Sequence, residues 1–294
     1  MTKEIGFIGI GTHKAATSWI YQCLKEHPEI CTSNLKETMF WKKKRSEKNS
    51  TEEYFRLYYK ECPKKTIKGE FTPGYMYSDE AIKQIAKYYP KTKLIICLRN
   101  PIEKLNSWFF FLKSKNPLLE KQTIDIFLQN NTTLLQQGLY YQYLKKWFSK
   151  FPKENIKIIL YEKLEKNPLK IIQDLYFFLE VNQNFYPNSL NLKVNATTKK
   201  KFRSRILQNK LKKSYIKLKS HKLGKHICNF LKLLKFNYIL MYIFKINEIN
   251  STLNKKTHIK KDLPLKTIKY LQNYYKNDIK NLEALINEDL SNWE

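Results

Sequence analysis

Two short segments of this chain are apolar at nearly every position: Lys93-Leu-Ile-Ile-Cys-Leu98 and Ile156-Lys-Ile-Ile-Leu160. A strand with one face in water alternates apolar and polar side chains, so strands that do not alternate must be covered on both faces. Ile5-Gly-Phe-Ile-Gly-Ile10 is a third run of the same kind. Each is followed by a helical pattern. Trp19, Ile20, Cys23 and Leu24 repeat at helical spacing within Ser18–Glu26. Asn100 and Pro101 form an N-cap and first-turn signal for a helix to about Lys113, and Asn167-Pro168 opens another to about Leu179. Strands buried on both faces and alternating with helices predict an α/β fold. The expected form is a P-loop-like three-layer sandwich with a central parallel sheet of four to five strands. Helical patterns then dominate, giving a helical C-terminal portion that ends in Leu265–Ile286 and a near-terminal Trp293. With no internal repeat and no Gly/Ser/Pro linker, residues 1–294 are expected to form a single domain.

Composition narrows the function classes. The chain has 294 residues, of which 42% are apolar and 14% aromatic, which excludes a disordered protein. No uncharged apolar run reaches the ~18 residues of a membrane span. Met1-Thr-Lys-Glu-Ile5 runs into the first strand pattern without a targeting segment. Cys23, Cys31, Cys62, Cys97 and Cys228 are scattered, odd in number and free of metal-ligand spacing. The expectation is a cytoplasmic protein with reduced thiols and no metal. Lys and Arg number 55 against 26 Asp and Glu, a formal net charge of +29. From Val181 to Asn247 there is no acidic residue at all, and Lys199-Lys-Lys-Phe-Arg203-Ser-Arg205 is dense in charge. This basic, mostly helical region reads as a solvated surface, as a wall for an anionic ligand, or as an amphipathic segment on an anionic membrane. The last would use Ile227–Ile246, peripheral at the inner membrane face. No recognition-helix, zinc-finger or RNA-recognition signature accompanies the charge, so nucleic acid is a disfavoured partner.

The loop Gly11-Thr-His-Lys-Ala-Ala-Thr17 lies between a strand and a helix, where backbone N–H groups and a helix N-terminus meet an anion. A Walker A loop would place a hydroxyl directly after its lysine to hold magnesium. Here Ala15 and Ala16 follow Lys14, and the hydroxyls of Thr17 and Ser18 come later. A P-loop nucleotide kinase is therefore the weaker alternative.

The segment Lys14-Ala-Ala-Thr-Ser18 resembles the 5′-phosphosulfate loop of sulfotransferases that use 3′-phosphoadenosine 5′-phosphosulfate (PAPS), with Ala16 in place of a glycine. Leu98-Arg99-Asn-Pro-Ile-Glu-Lys-Leu-Asn-Ser107 resembles the family's 3′-phosphate site, an arginine at a strand end with a serine eight residues on. Lys36-Glu37-Thr-Met-Phe-Trp41 is similar to the segment that carries the general base in glycan-type, heparan-sulfate-like members. Glu70-Phe-Thr-Pro-Gly-Tyr75 is similar to an E-K-[ST]-P-x-Y segment in which Phe71 replaces a lysine. Gly138–Trp147 resembles their G-x-Y-x-x-x-L-x-x-W helix.

The resemblance implies sulfuryl transfer from PAPS, as co-substrate, to a hydroxyl of a glycan or glycolipid. It assigns Lys14 and Glu37 to catalysis, and Lys14, Ala15, Ala16, Thr17, Ser18, Arg99, Ser107 and Arg203 to the donor. Chemistry supports the division: an ammonium offsets the charge growing on the leaving phosphate, and a carboxylate can take the acceptor's proton. Phe40, Trp41, Tyr75 and Tyr77 are candidates to stack on a sugar, core packing being the commoner use of such residues. His13 is a rival base, and His27, before Pro28, reads as structural. A non-catalytic basic protein for nucleic acid or anionic lipid is the alternative from another class.

Overall fold

The computed structural model describes residues 4–44, 50–63, 66–116, 119, 122–192 and 263–293, and two strands at Lys201–Phe202 and Glu248–Ile249. Its contacts define two compact units, Met1–Ala196 with Asp262–Glu294, and Thr197–Lys261. In the second unit, the described residues are the antiparallel pair Lys201–Phe202 with Glu248–Ile249. Arg203, the Ile227–Ile246 segment and most of the acid-free stretch lie outside the described residues.

The first unit is built on five parallel strands: β1 (Phe7–Gly11), β2 (Ile30–Thr32), β3 (Ile67–Phe71), β4 (Lys93–Leu98) and β5 (Ile156–Leu160), in the order β2-β3-β1-β4-β5. The continuous apolar runs are explained by what covers each face. Ile8, Ile10, Leu94, Ile96 and Leu98 point into one core with Trp41, Tyr75 and Trp147. Phe7, Phe71, Ile95 and Cys97 point into another with Trp19, Ile20, Ile172 and Tyr176. Helices α1 (Thr17–Glu26), α2 (Ser50–Tyr58), α3 (Asp79–Tyr88), α4 (Pro101–Lys115), α5 (Ile124–Gln129), α6 (Thr132–Gln136), α7 (Tyr140–Phe148), α8 (Tyr161–Lys166) and α9 (Pro168–Leu179) complete the layers. The expected N-cap of α4 is present: the Asn100 side chain accepts from the Ile102 and Glu103 N–H groups. Strands β2 and β3 carry no comparable apolar run and were not evident from the pattern. No described helix is long and apolar enough to cross a membrane.

Chain order places the first turn back toward β2 and the later one toward β4 and β5, so the sheet's winding reverses beside β1. The crevice outside the carboxyl ends of strands at such a reversal is where open α/β sheets bind ligands. Three bonds close that edge: Thr12 N–H to Cys97 O at 2.8 Å, Thr72 N–H to Gly9 O at 2.8 Å and Glu37 N–H to Phe71 O at 2.9 Å.

The reading of five unpaired thiols is corrected at one place. Cys31 of β2 and Cys62, after α2, form a disulfide with their Cα atoms 5.8 Å apart. Thirty-one positions separate them, and only the folding of α2 back along the edge strand brings them together, so local spacing carried no signal. Cys23 and Cys97 are free and buried, and burial pushes both thiols well above their ordinary pKa. Cys228 lies outside the described residues.

The C-terminal helix appears where the pattern put it, as α10 (Leu265–Ile286), packed along α7. Asp278 accepts the Tyr141 N–H at 3.0 Å, and the Tyr275 hydroxyl donates to Leu135 O at 2.8 Å. Trp293 is buried near Tyr140, ring centroids 6.0 Å apart, and its carbonyl accepts from Asn100 Nδ2 at 3.4 Å. The glycine of the G-x-Y segment is explained by this contact. A Cβ on Gly138 would stand 2.5 Å from the Tyr275 ring, which its hydrogen bond and burial hold still. Gly138→Ala should therefore destabilise the protein by about 1–3 kcal/mol, as overpacking does. The check is the denaturant midpoint at unchanged slope.

Candidate active site

Loop residues 11–16 and the first turn of α1 sit at the carboxyl end of β1. Lys14 and Ala16 occupy left-handed backbone conformations, φ 66° and 59°, a region L side chains visit rarely. With alanine at the N-cap, no side chain bonds the first N–H groups of α1, and a helix start left this way favours an anion. Ala15, Ala16 and Thr17 are buried, while Ser18 is exposed. The Lys14 ammonium rests 4.5 Å from the centre of the Phe111 ring. Burial, and then the Arg99 charge, lower its pKa from the ordinary lysine value.

Arg99 leaves the end of β4 beside this loop. One guanidinium nitrogen donates to the Lys14 carbonyl at 3.3 Å, and another pairs with Glu103 at 3.1 Å. The group lies 4.4 Å from the Tyr161 ring. Tyr140 fixes the arm behind it by donating to Arg99 O at 2.8 Å. Ser107 follows two turns along α4 and is half-buried. Lys14 and Arg99 are thus neighbours, although 85 residues separate them in the chain.

Glu37, also left-handed at φ 65°, stands on the loop after β2. Its carboxylate is 36% exposed and accepts from Lys36 Nζ at 3.1 Å. Across from it is His13, whose ring packs on Trp108 with centroids 4.9 Å apart. Burial is the main reason the His13 pKa falls to about 4; Glu37 opposes the shift, while Lys104, Lys36 and Lys42 add to it. His13 is consequently a neutral imidazole at neutral pH. His27 has the structural role read from the sequence: it is buried, its Nδ1 accepts from Glu29 N–H at 3.1 Å and it stacks near Tyr176.

The neighbouring aromatics follow the commoner use of such residues, core packing. Phe40, Trp41 and Tyr75 are fully buried in the core and offer no face to a sugar, while Tyr77 is half-buried with its hydroxyl enclosed. Phe71 points away from the site into the other core layer, 6.3 Å from Phe7 and from Tyr21, so the missing lysine is replaced by packing. The half-buried aromatics beside Lys14 and His13 are Phe111 and Trp108, on α4.

Sequence reasoning gave Glu70 only as part of a resemblance, yet it organises this edge. It has no solvent exposure and accepts from four hydroxyls: Tyr54 at 2.5 Å and Tyr75 at 3.3 Å on one oxygen, Thr38 at 2.6 Å and Thr72 at 2.8 Å on the other. Burial raises its pKa and the hydroxyls oppose that rise. Thr38 adjoins Glu37, so the buried carboxylate anchors the loop carrying the candidate base. Lys104, fully buried on α4, was also missed; an i+5 position after Arg99 gives no sequence signal of burial.

A buried five-stranded parallel sheet with a lysine loop, an arginine at the next strand end and a helix start without a side-chain cap defines an α/β protein with its basic groups gathered at one sheet edge. A family model described as "Sulfotransferase domain" matches residues 7–229, and the chain belongs to the sulfotransferase family. The fold agrees with the sulfotransferase from Alicyclobacillus acidocaldarius: TM-score 0.66 at 19% identity, covering 99% of this chain and 98% of that one. Carbohydrate sulfotransferase 15 of Mus musculus is 26% identical over 60% of this chain and 43% of its own length. The 3-alpha-hydroxysteroid sulfotransferase of Cavia porcellus is 29% identical over 38% of this chain and 40% of its own. The chain thus spans less than half the length of these two curated relatives.

The depressed His13 pKa has a signed consequence. Between pH 6.5 and about 4 the unfolded chain binds this proton and the folded one does not, so stability is lost as pH falls through that window. His13→Gln should retain more of its pH 7.5 melting temperature at pH 4.5 than the parent does, read by thermal unfolding at both pH values.

Proposed function

We propose that this sulfotransferase takes its sulfuryl group from PAPS and transfers it to a hydroxyl, in a glycan or glycolipid. The observation that carries the reading is the adjacency of two anion-binding features. The uncapped start of α1 with Lys14 is one, and Arg99, bonded to the Lys14 carbonyl, is the other. A nucleotide bearing both 5′ and 3′ phosphates requires two such features side by side.

On this reading Lys14, Thr17, Ser18 and the backbone of Ala15 and Ala16 hold the 5′ end, and Arg99 and Ser107 clasp the 3′-phosphate. The acceptor oxygen bonds to sulfur in line as the bond from sulfur to the 5′-phosphate oxygen breaks. Lys14 offsets the charge left on that phosphate, and the acceptor's proton passes to Glu37. Glu37 is favoured over His13 because its carboxylate is open to solvent, while the His13 ring is half-buried against Trp108. Arg203 belongs to the same proposal as a further donor contact, as does contact of the basic region with an anionic membrane. The kinase alternative would need a hydroxyl where Ala15 is buried.

The glycan acceptor is supported by the Lys36–Trp41 and Glu70–Tyr75 segments and by the carbohydrate relative; the steroid relative points to a hydroxyl of another class. Trp108 and Phe111 offer aromatic surface beside Lys14 to either.

Calorimetric titration with 3′-phosphoadenosine 5′-phosphate (PAP) should show binding that exceeds that of ATP with Mg²⁺. Arg99→Ala should weaken it about 10–100-fold, the worth of hydrogen bonds to a charged group. ATP binding as well as PAP would sink the reading. With PAPS as donor, and a glucosamine oligosaccharide or a hydroxysteroid as acceptor, Glu37→Gln should lower turnover by roughly 10²–10⁴ with PAP affinity intact. Unchanged turnover removes Glu37 from the chemistry.

A further inference from the structure

Lys104 is a buried lysine that none of the donor contacts above accounts for. Ser107, Trp108 and Phe111 follow it on α4 at the i+3, i+4 and i+7 positions, which share one helix face. On that face Phe111 carries the Lys14 ammonium and Trp108 carries the His13 ring. Lys104 is 5% exposed, its Nζ donates to Gln137 O at 2.7 Å, and it lies 5.4 and 5.2 Å from the centres of the Tyr77 and Tyr140 rings. Among the described residues no carboxylate pairs with it. An ammonium has three donors. One is bonded, and the side chain lines a recess with His13, Leu105, Trp108, Leu134 and Gln137.

A lysine buried without a carboxylate is destabilising relative to an apolar residue of its size. Stability of the fold therefore does not account for it, but its placement does. Gln137, which it bonds, leads through Gly138 into α7, and Tyr140 at the start of α7 holds the Arg99 carbonyl.

We propose that Lys104 is an electrostatic and positioning residue of the donor site. It lines the recess together with His13 of the β1–α1 loop, and its bond to Gln137 O holds the turn into α7, from which Tyr140 bonds the Arg99 carbonyl. The inference rests on the reading of this site as one for a 3′-phosphorylated donor. Burial lowers the Lys104 pKa to about 7, so the group is largely neutral at slightly alkaline pH before an anion arrives. The groups around it are His13 from the β1–α1 loop, Tyr77 from the turn after β3, Tyr140 from α7, Tyr275 from α10 behind both tyrosines and Glu162 from α8 beyond Tyr140. Arg99 and Glu103 lie at the start of its own helix. An incoming polyanion favours the charged amine and raises its pKa. Donor binding at pH 7.8 should thus be accompanied by proton uptake at Lys104.

The experiment is calorimetric titration of the full chain with PAP at pH 7.8, in buffers of different ionisation enthalpy, for the wild type, Lys104→Arg and Lys104→Met. The nucleotide's own phosphates exchange the same protons in all three, so differences isolate the lysine. The wild type should take up more protons than either variant, by on the order of half a proton. Lys104→Met should bind about tenfold more weakly with its melting temperature held or raised, and Lys104→Arg, permanently charged, should recover most of that affinity. A merely structural lysine would lower the melting temperature of Lys104→Met and leave proton uptake unmoved. Equal proton counts in wild type and Lys104→Arg overturn the proposal, as does undiminished affinity in a folded Lys104→Met. If Lys104→Met does not fold, the Lys104→Arg proton count decides. A wild type that does not bind PAP brings down the donor reading and this proposal together, whereas binding with indistinguishable variants brings down this proposal alone.

Discussion

Parallel pairing of β1 with β4 sets the spacing on which the site depends. The two strands run side by side from Phe7 opposite Lys93 to Gly11 opposite Ile96, with an irregularity between Gly9 and Gly11. Both are buried on both faces, so neither can slip in register without moving its side chains into the wrong core layer. Their ends therefore release the Gly11–Ala16 loop and Arg99 into one crevice. A guanidinium bonding the Lys14 carbonyl is the direct product of that register. The start of α1, with no side-chain cap, follows directly from the same loop.

A second constraint works from beneath. Glu70, at the end of β3, has exchanged water for four hydroxyls, and those hydroxyls come from the Glu37 loop, α2, the end of β3 and the turn after it. A buried carboxylate with every bond made holds its partners in one geometry, because losing any partner leaves part of a charge unsolvated. The loop presenting Glu37 thus inherits its position from a residue with no contact with solvent. Left-handed backbone at Glu37 and Met39 on that loop, and at Lys14 and Ala16 on the facing one, fits the same picture. Local conformations that a free peptide would avoid persist where the surrounding structure over-determines them.

The basic side chains of this edge are held in place by the fold itself. Lys14 lies on Phe111, Arg99 on Tyr161, and Lys104 between Tyr77 and Tyr140. Aromatic faces and carbonyl oxygens stand in for water around them, so their positions are set by the fold at little reorganisation.

The sequence by itself determined the sheet's central strands and their helices, because apolar runs such as Leu94–Leu98 permit only a doubly covered strand, and Asn100-Pro101 and Asn167-Pro168 announce helices locally. It also showed that no hydroxyl directly follows Lys14, a distinction from a magnesium-binding Walker A loop that depends only on neighbouring letters. The edge strands β2 and β3, the Cys31–Cys62 disulfide, the burial of Phe40, Trp41 and Tyr75, and the roles of Glu70 and Lys104 were decided by tertiary structure. Each depends on contacts between residues far apart in the chain, where a charged letter looks the same whether it ends in water or beneath four hydroxyls. What a sequence states as residue type, the fold converts into environment, and for an ionisable side chain it is the environment that fixes charge, partner and use.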